Sequence, residues 1–150
     1  MNLAKVFSHW DQIRKDLISI VDLFNDDEMD YVPFPNFWSV QEILLHIANT
    51  EEGWFQYVVR RDFDQWPEVY LVEDYRNKDV VKAKLSEVYK STMEYLSILK
   101  IDDLENNIDL PGVEQLQFGW IIWHVLEHEI HHRGELSLIL GLLGHEGLDV

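Results

Sequence analysis

Cysteine is absent from this sequence of 150 residues. Its absence excludes disulfides, Cys-ligated zinc, iron–sulfur clusters and a Cys nucleophile, so a metal in this chain has to be held by His, Asp or Glu. Basic residues are scarce as well: 12 Lys and Arg stand against 28 Asp and Glu, a formal charge of −16. Such a balance repels phosphate backbones and anionic membrane surfaces, and nucleic acid is not expected as a partner. Every apolar run is interrupted by charge well before the ~20 residues that a bilayer span requires. The opening "MNLAK" leads into an amphipathic pattern rather than a signal-peptide core. A cytoplasmic protein without membrane contact is the expectation. With only four prolines and seven glycines, no low-complexity or disordered segment is expected beyond the termini.

What is present is apolar and aromatic material, 47% and 13% of the chain, enough for one core over residues 1–150. Four segments place apolar residues at helical steps of three and four. The first runs from about Leu3 to Phe24. The second starts at Ser39-Val40-Gln41-Glu42, which has the form of a capping box, and reaches Arg60 or Arg61. The third spans about Lys78 to Leu99 and the fourth about Phe118 to Leu143, with Gly144 as its C-cap. Between them, "RDFDQWPEVYLVEDYRN" reads as a connection. "KIDDLENNIDLPGVEQLQ" reads as a long polar loop broken at Pro111-Gly112, of a size that often borders a site. Without strand alternation or an internal repeat, the pattern predicts an all-α fold, an antiparallel four-helix bundle forming a single domain.

The fourth segment contains H-E-x-x-H at His128, Glu129 and His132. A zinc protease needs a third ligand, and here the expected downstream position is Leu138, with only eighteen residues after His132. The protease reading therefore fails on its third ligand. A di-iron bundle fails too, because Glu129 and His132 form the only Glu-x-x-His pair in the chain. On a helix wheel, however, His128 and His132 lie about 40° apart, on the same side as Ile121, Val125, Leu136 and Ile139. Two histidines aimed into a bundle need partners, and His46 of the second segment lies near the border of that helix's apolar face. Together they make a three-His set with an open fourth position, the arrangement of a reactive metal rather than a purely structural one. A lone internal His is more often a hydrogen-bonded core residue, but histidines at 124, 128, 131 and 132 within nine residues favour metal for this helix. His124 and Glu135 are candidates for a further ligand or for a supporting group. Trp54, Phe55 and Tyr57 read as core, His9 and His145 as ordinary surface or packing residues.

The combination of "WSVQEILLHIANTEEGW" and "WHVLEHEIHHRGELSLIL" resembles the DinB-like superfamily, which includes bacillithiol transferases and the mycothiol-dependent maleylpyruvate isomerase. The resemblance implies a helical bundle with metal ligands at His46, His128 and His132, a divalent ion with zinc or nickel first, a third connection near that metal, and often a homodimer. It also implies transfer of a low-molecular-weight thiol to an electrophile as the first functional expectation, the metal stabilising the thiolate. In that chemistry Arg133 and His131 would orient an anionic thiol, Arg133 pairing otherwise with Glu129 or Glu135 at the surface. Two alternatives stand beside it. One is a stress or binding protein with a structural metal and a fourth protein ligand; the other is a metal-dependent hydrolase with Glu129 as base.

Overall fold

The computed structural model describes residues 1–110 and 112–147; Pro111, half of the expected break in the third connection, lies outside them. In chain order the helices are α1 (Leu3–Val6), α2 (His9–Leu23), α3 (Val40–Glu52), α4 (Lys78–Ile98) and α5 (Phe118–Leu142). Among the described residues no helix is long and apolar enough to cross a membrane. The first expected helix is divided. At Phe7 and Ser8 the hydrogen bonds shift to the tighter i→i+3 form (Trp10 N to Phe7 O, 2.9 Å; Asp11 N to Ser8 O, 3.2 Å). This turn lets α1 pack across the end of α4, where Leu3 N donates to Leu99 O at 3.0 Å.

The capping box at the start of α3 forms as its spelling requires. Glu42 N donates to Ser39 Oγ at 3.2 Å and Ser39 N donates to Glu42 Oε2 at 2.7 Å, satisfying two of the helix's otherwise orphan donors. Beyond Glu52 the helix widens into a π-helical segment, Gly53–Val59. The indole of Trp66 lies against Gly53, so closely that a Cβ there would fall 2.3 Å from the ring. Any side chain at position 53 would push the following connection off the helix. At the far end of α5, Gly144 takes φ +86°, the left-handed conformation that closes a helix at lowest cost when the residue is glycine.

Two apolar clusters reveal how the helices run. One gathers the C-terminal halves of α2 and α5 with the N-terminal halves of α3 and α4, from Leu17, Ile43, Leu85 and Leu136 among others. The second gathers α1, Trp10, Phe55, Leu96, Phe118 and Ile122. Helices α2 and α5 therefore point one way and α3 and α4 the other, while the principal contacts pair α3 with α4 and α5, and α2 with α4 and α5. This corrects the expectation of a simply antiparallel bundle, since α3 and α4 are adjacent and parallel. Their connection, residues 60–77, has to return along the molecule, which is why it is long; at up to ~3.3 Å per residue it reaches comfortably.

The third connection differs from the expected loop. After a 3₁₀ turn at Ile101–Glu105 it forms a hairpin, β1 (Asn107–Leu110) antiparallel to β2 (Val113–Gln117), pairing Asn107 with Gln117 and Ile108 with Leu116. Four alternating residues are too few to distinguish a strand from a loop by period alone. What holds the hairpin is tertiary: the Arg61 guanidinium donates to Asp109 O, and Phe118 N donates to Asn106 O at 2.8 Å, joining the hairpin to the start of α5.

Candidate metal centre

Helices α3 and α5 contribute two polar constellations to this fold, and H-E-x-x-H takes part in both. Glu129 is 1% exposed and points to the middle of the molecule. Arg14 of α2 grips it with Nε to Oε1 and Nη2 to Oε2, both 2.8 Å, and Trp10 Nε1 donates to Oε2 at 2.6 Å. The same guanidinium reaches Glu51 Oε2 of α3 at 2.5 Å and Leu85 O of α4 at 2.7 Å. All four long helices meet in this layer, which separates the two apolar clusters. Burial disfavours the Arg14 charge, but Glu51 and Glu129 outweigh it and hold its pKa above the ordinary value. Burial pushes the Glu51 carboxyl up, against the pull of Arg14 and with the repulsion of Glu129. Glu129 is consequently not available as a hydrolytic base. Its role is in the interior, where a lone charge would be costly.

One residue earlier on α5, about 100° around the helix, His128 faces a different neighbour. His128 Nε2 lies 2.9 Å from His46 Nε2 of α3 and 3.2 Å from His132 Nε2. The donor atoms of the three residues lie within 4.8 Å of one another. The three expected histidines are thus brought together, with His132 8% exposed and the other two half-buried. His132 is oriented from behind: its Nδ1 is 2.6 Å from Glu135 Oε2, while Glu135 Oε1 is 3.2 Å from Nε2 of the exposed His131. Donation from Nδ1 to the carboxylate leaves a lone pair on His132 Nε2, aimed at the other two rings.

The electrostatics favour the neutral forms of His46 and His128. Burial, then repulsion from His132, His46, His124 and His131, depress the His128 pKa to about 3. Burial and His132 lower that of His46 against a smaller opposing effect of Glu135. Protons therefore do not compete for these two residues' nitrogens near neutral pH. Three imidazoles converging through Nε2 cannot satisfy one another, because one N–H has to serve two acceptors. A divalent cation resolves the conflict, and tetrahedral zinc with Zn–N of ~2.0–2.1 Å sets its donors roughly 3.3 Å apart. The donor set accordingly fits a divalent transition-metal ion.

Other expected contributors fall elsewhere. Among the described residues no carboxylate or fourth His joins the three converging nitrogens. Glu135 supports His132 from its far side, and His124 stacks on Trp120 at 4.8 Å with Trp54 edge-on at 5.3 Å. Arg133 pairs with neither Glu129 nor Glu135. Its Nη1 contacts Asp16 Oδ2 at 3.3 Å, which matches its charge on the α2 side of α5. His145 is paired rather than free, 2.8 Å from Glu28 Oε2.

Trp38 is the residue that sequence reasoning passed over. Its ring lies 4.4 Å from His46 and 6.0 Å from His132, centroid to centroid, and it is 43% exposed. It stands between two clefts that end on the histidines. The larger, about 450 Å³, runs along α3 past Leu45 to His46 and is roofed by Val69, Tyr70, Leu71 and Val72. The smaller, about 190 Å³, ends on His132 and Glu135. The α3–α4 connection, rather than the α4–α5 connection, is therefore what covers the larger cleft. It is fastened by Asn49, whose Nδ2 donates to Glu68 O at 2.9 Å, by Trp66 Nε1 donating to Asn49 Oδ1 at 3.2 Å, and by Gln41 donating to Tyr75 O. The W-S-x-x-E spelling that opens α3 was the available signal for Trp38, since a residue just before an N-cap projects over the first turns of its helix.

Residues 9–136 match the family model of the DinB superfamily. No curated protein matches the chain. Among solved structures, a DinB-like protein from Bacillus cereus superposes with a TM-score of 0.77 at 17% identity, covering 96% of this chain and 94% of that one. A DinB-like protein from Bacillus subtilis gives 0.76 at 19% identity, covering 97% and 96%. At these identities the structural likeness speaks for the fold alone, whereas the family match spans most of the sequence. The chain belongs to the DinB superfamily.

Proposed function

We propose that this chain is a metal-dependent enzyme: His46, His128 and His132 hold one divalent ion, and a low-molecular-weight thiol is joined to an electrophile beside it. The observation that carries the reading is the convergence of three Nε2 atoms at 2.9 and 3.2 Å beneath two open clefts. When bound, a Lewis-acidic cation lowers the pKa of a thiol or water, which supplies a nucleophile near neutral pH without a Cys in the protein. The chain's own residues do the positioning. Glu135 fixes the tautomer and ring plane of His132, while Trp38 and the 69–72 segment wall the cleft and limit water. The absence of a fourth protein donor among the described residues favours a reactive over a purely structural ion. With Glu129 committed to Arg14, the hydrolytic alternative lacks its expected base.

A homodimer is part of the same proposal. The outward face of α5 exposes Trp120, Trp123, Ile130, Leu138 and Leu142, and nothing lies within 4 Å of a Cβ built on Gly134 or Gly141. Such an apolar stripe, open at its glycines, suits close approach of a second helix.

Metal analysis of untagged protein purified without chelator should find about one divalent ion per chain, and His132→Ala should carry none. Equal metal in both proteins would overturn the site. Thiol transfer to monochlorobimane, present in the loaded protein and lost in His132→Ala, tests the reaction. Full metal with no turnover for any thiol would leave a binding protein. Sedimentation at micromolar concentration tests the dimer.

A further inference from the structure

The clefts beside the histidines are charged in one sense only. The larger is apolar over most of its wall, and the charged side chains lining it are Glu42 and Glu73; the smaller adds Glu135. Among the described residues no Lys or Arg lines either cleft. Of the cations in the neighbourhood, Arg76 stays outside the lining with its Nε donating to the Glu73 carbonyl at 2.8 Å. Lys84 lies over the ring of Tyr70 at 5.0 Å and is held by Glu52 at 3.2 Å, and Arg133 is held by Asp16. At about 450 Å³ the larger cleft has the volume of an ordinary small-molecule site. Trp38 and Tyr70 offer it aromatic surface, to which cations are attracted.

From this lining we infer that the cleft between α3 and residues 69–73 accepts a small molecule with an apolar body and a neutral or cationic head, and rejects ligands bearing carboxylate or phosphate. The inference rests on the metal-centre reading only for where the ligand's reactive end points, toward His46. Applied to thiol transfer, it selects an aminothiol or an uncharged thiol over thiols that carry carboxylates. With no ion bound, an anion entering the cleft meets two carboxylates and no Lys or Arg in its lining, whereas a divalent ion at His46 would add an attraction of opposite sign at that end. Each carboxylate contact at about 6 Å shifts affinity by roughly tenfold, less where water and salt screen it. The net charge of −16 works in the same direction by slowing the approach of anions.

Three probes of one shape separate the possibilities: benzylamine, benzyl alcohol and benzoate, titrated into the full chain freed of metal by chelator and followed by calorimetry and by the Trp38 indole N–H resonance. The expected order is benzylamine tightest and benzoate weakest, with tenfold or more between the extremes at low salt. In the double variant Glu42→Gln/Glu73→Gln the order should collapse to within about threefold; an amide at the third position of α3 still completes the capping box, so the helix start is kept. His132→Ala should keep the order although it lacks metal, which separates failure of the metal reading from failure of this one. Benzoate binding as tightly as benzylamine, absence of benzylamine binding at millimolar concentration, or an order that vanishes in His132→Ala would each overturn the inference.

Discussion

The Arg14–Glu51–Glu129 layer and the His46–His128–His132 cluster both draw on α3 and α5, with residues adjacent on α5, yet they do opposite things with their polar atoms. In the layer the charges are opposed, and every carboxylate oxygen except Glu51 Oε1 has a donor. Arg14 donates to two carboxylates and a carbonyl, and Trp10 supplies a further donor. In the cluster, three nitrogens of one kind face each other beside two clefts, and a single N–H cannot satisfy them all. A saturated polar group holds elements in register, and an unsaturated set is poised for a ligand. The contrast separates the two halves of H-E-x-x-H: its Glu lies in the buried ionic layer and its histidines in the candidate metal cluster.

The largest effect should come from breaking the layer. Glu129→Ala leaves Arg14 buried with one partner fewer, and urea denaturation should show a loss of about 3–5 kcal/mol, while chains that remain folded keep their metal. The next largest comes from the cluster. His128→Ala or His132→Ala should abolish metal binding with little change in the stability of the metal-free chain. For wild type, adding chelator should remove the ligand's stabilisation, about 4 kcal/mol when free metal is 1,000 times Kd, and lower the Tm accordingly. A cluster variant as unstable as Glu129→Ala would dissolve the distinction between the two constellations. Glu135→Gln should be milder, weakening metal affinity about 10–100-fold by loosening His132 while leaving stoichiometry intact.

The smallest effect involves neither constellation. Backbone donation from Asn25 and the contact with His145 hold the Glu28 carboxyl below its usual range. A carboxylate whose folded pKa is depressed stabilises the fold above its unfolded pKa, and that contribution is lost as pH falls through the lower folded value. Glu28→Gln should therefore flatten a small part of the acid limb of stability against pH, and leave metal content untouched.

Much of the helical pattern was legible because period 3.6 is a local property. Ser39 and Glu42 specify their cap within one turn, and the boundaries of α4 and α5 follow from where the apolar stripe stops. His128 and His132 were legible for a related reason: the i, i+4 spacing puts them on one face regardless of the rest of the fold, whereas their meeting with His46 of α3 depends on packing. The hairpin was not, since its short strands are held by Arg61 and the start of α5 rather than by their own pattern. Nor was the role of Glu129, whose partner Arg14 lies 115 residues away.

By itself, then, the sequence determined the helices, their caps, the exclusion of cysteine chemistry and the helical face on which two histidines stand, because each depends on neighbours within a few residues. Tertiary structure alone decided that α3 and α4 run parallel, that the returning 60–77 segment roofs a cleft over His46, and that Glu129 faces inward to Arg14. Those outcomes depend on which helices pack together, and packing joins side chains whose separation along the chain carries no periodic signal.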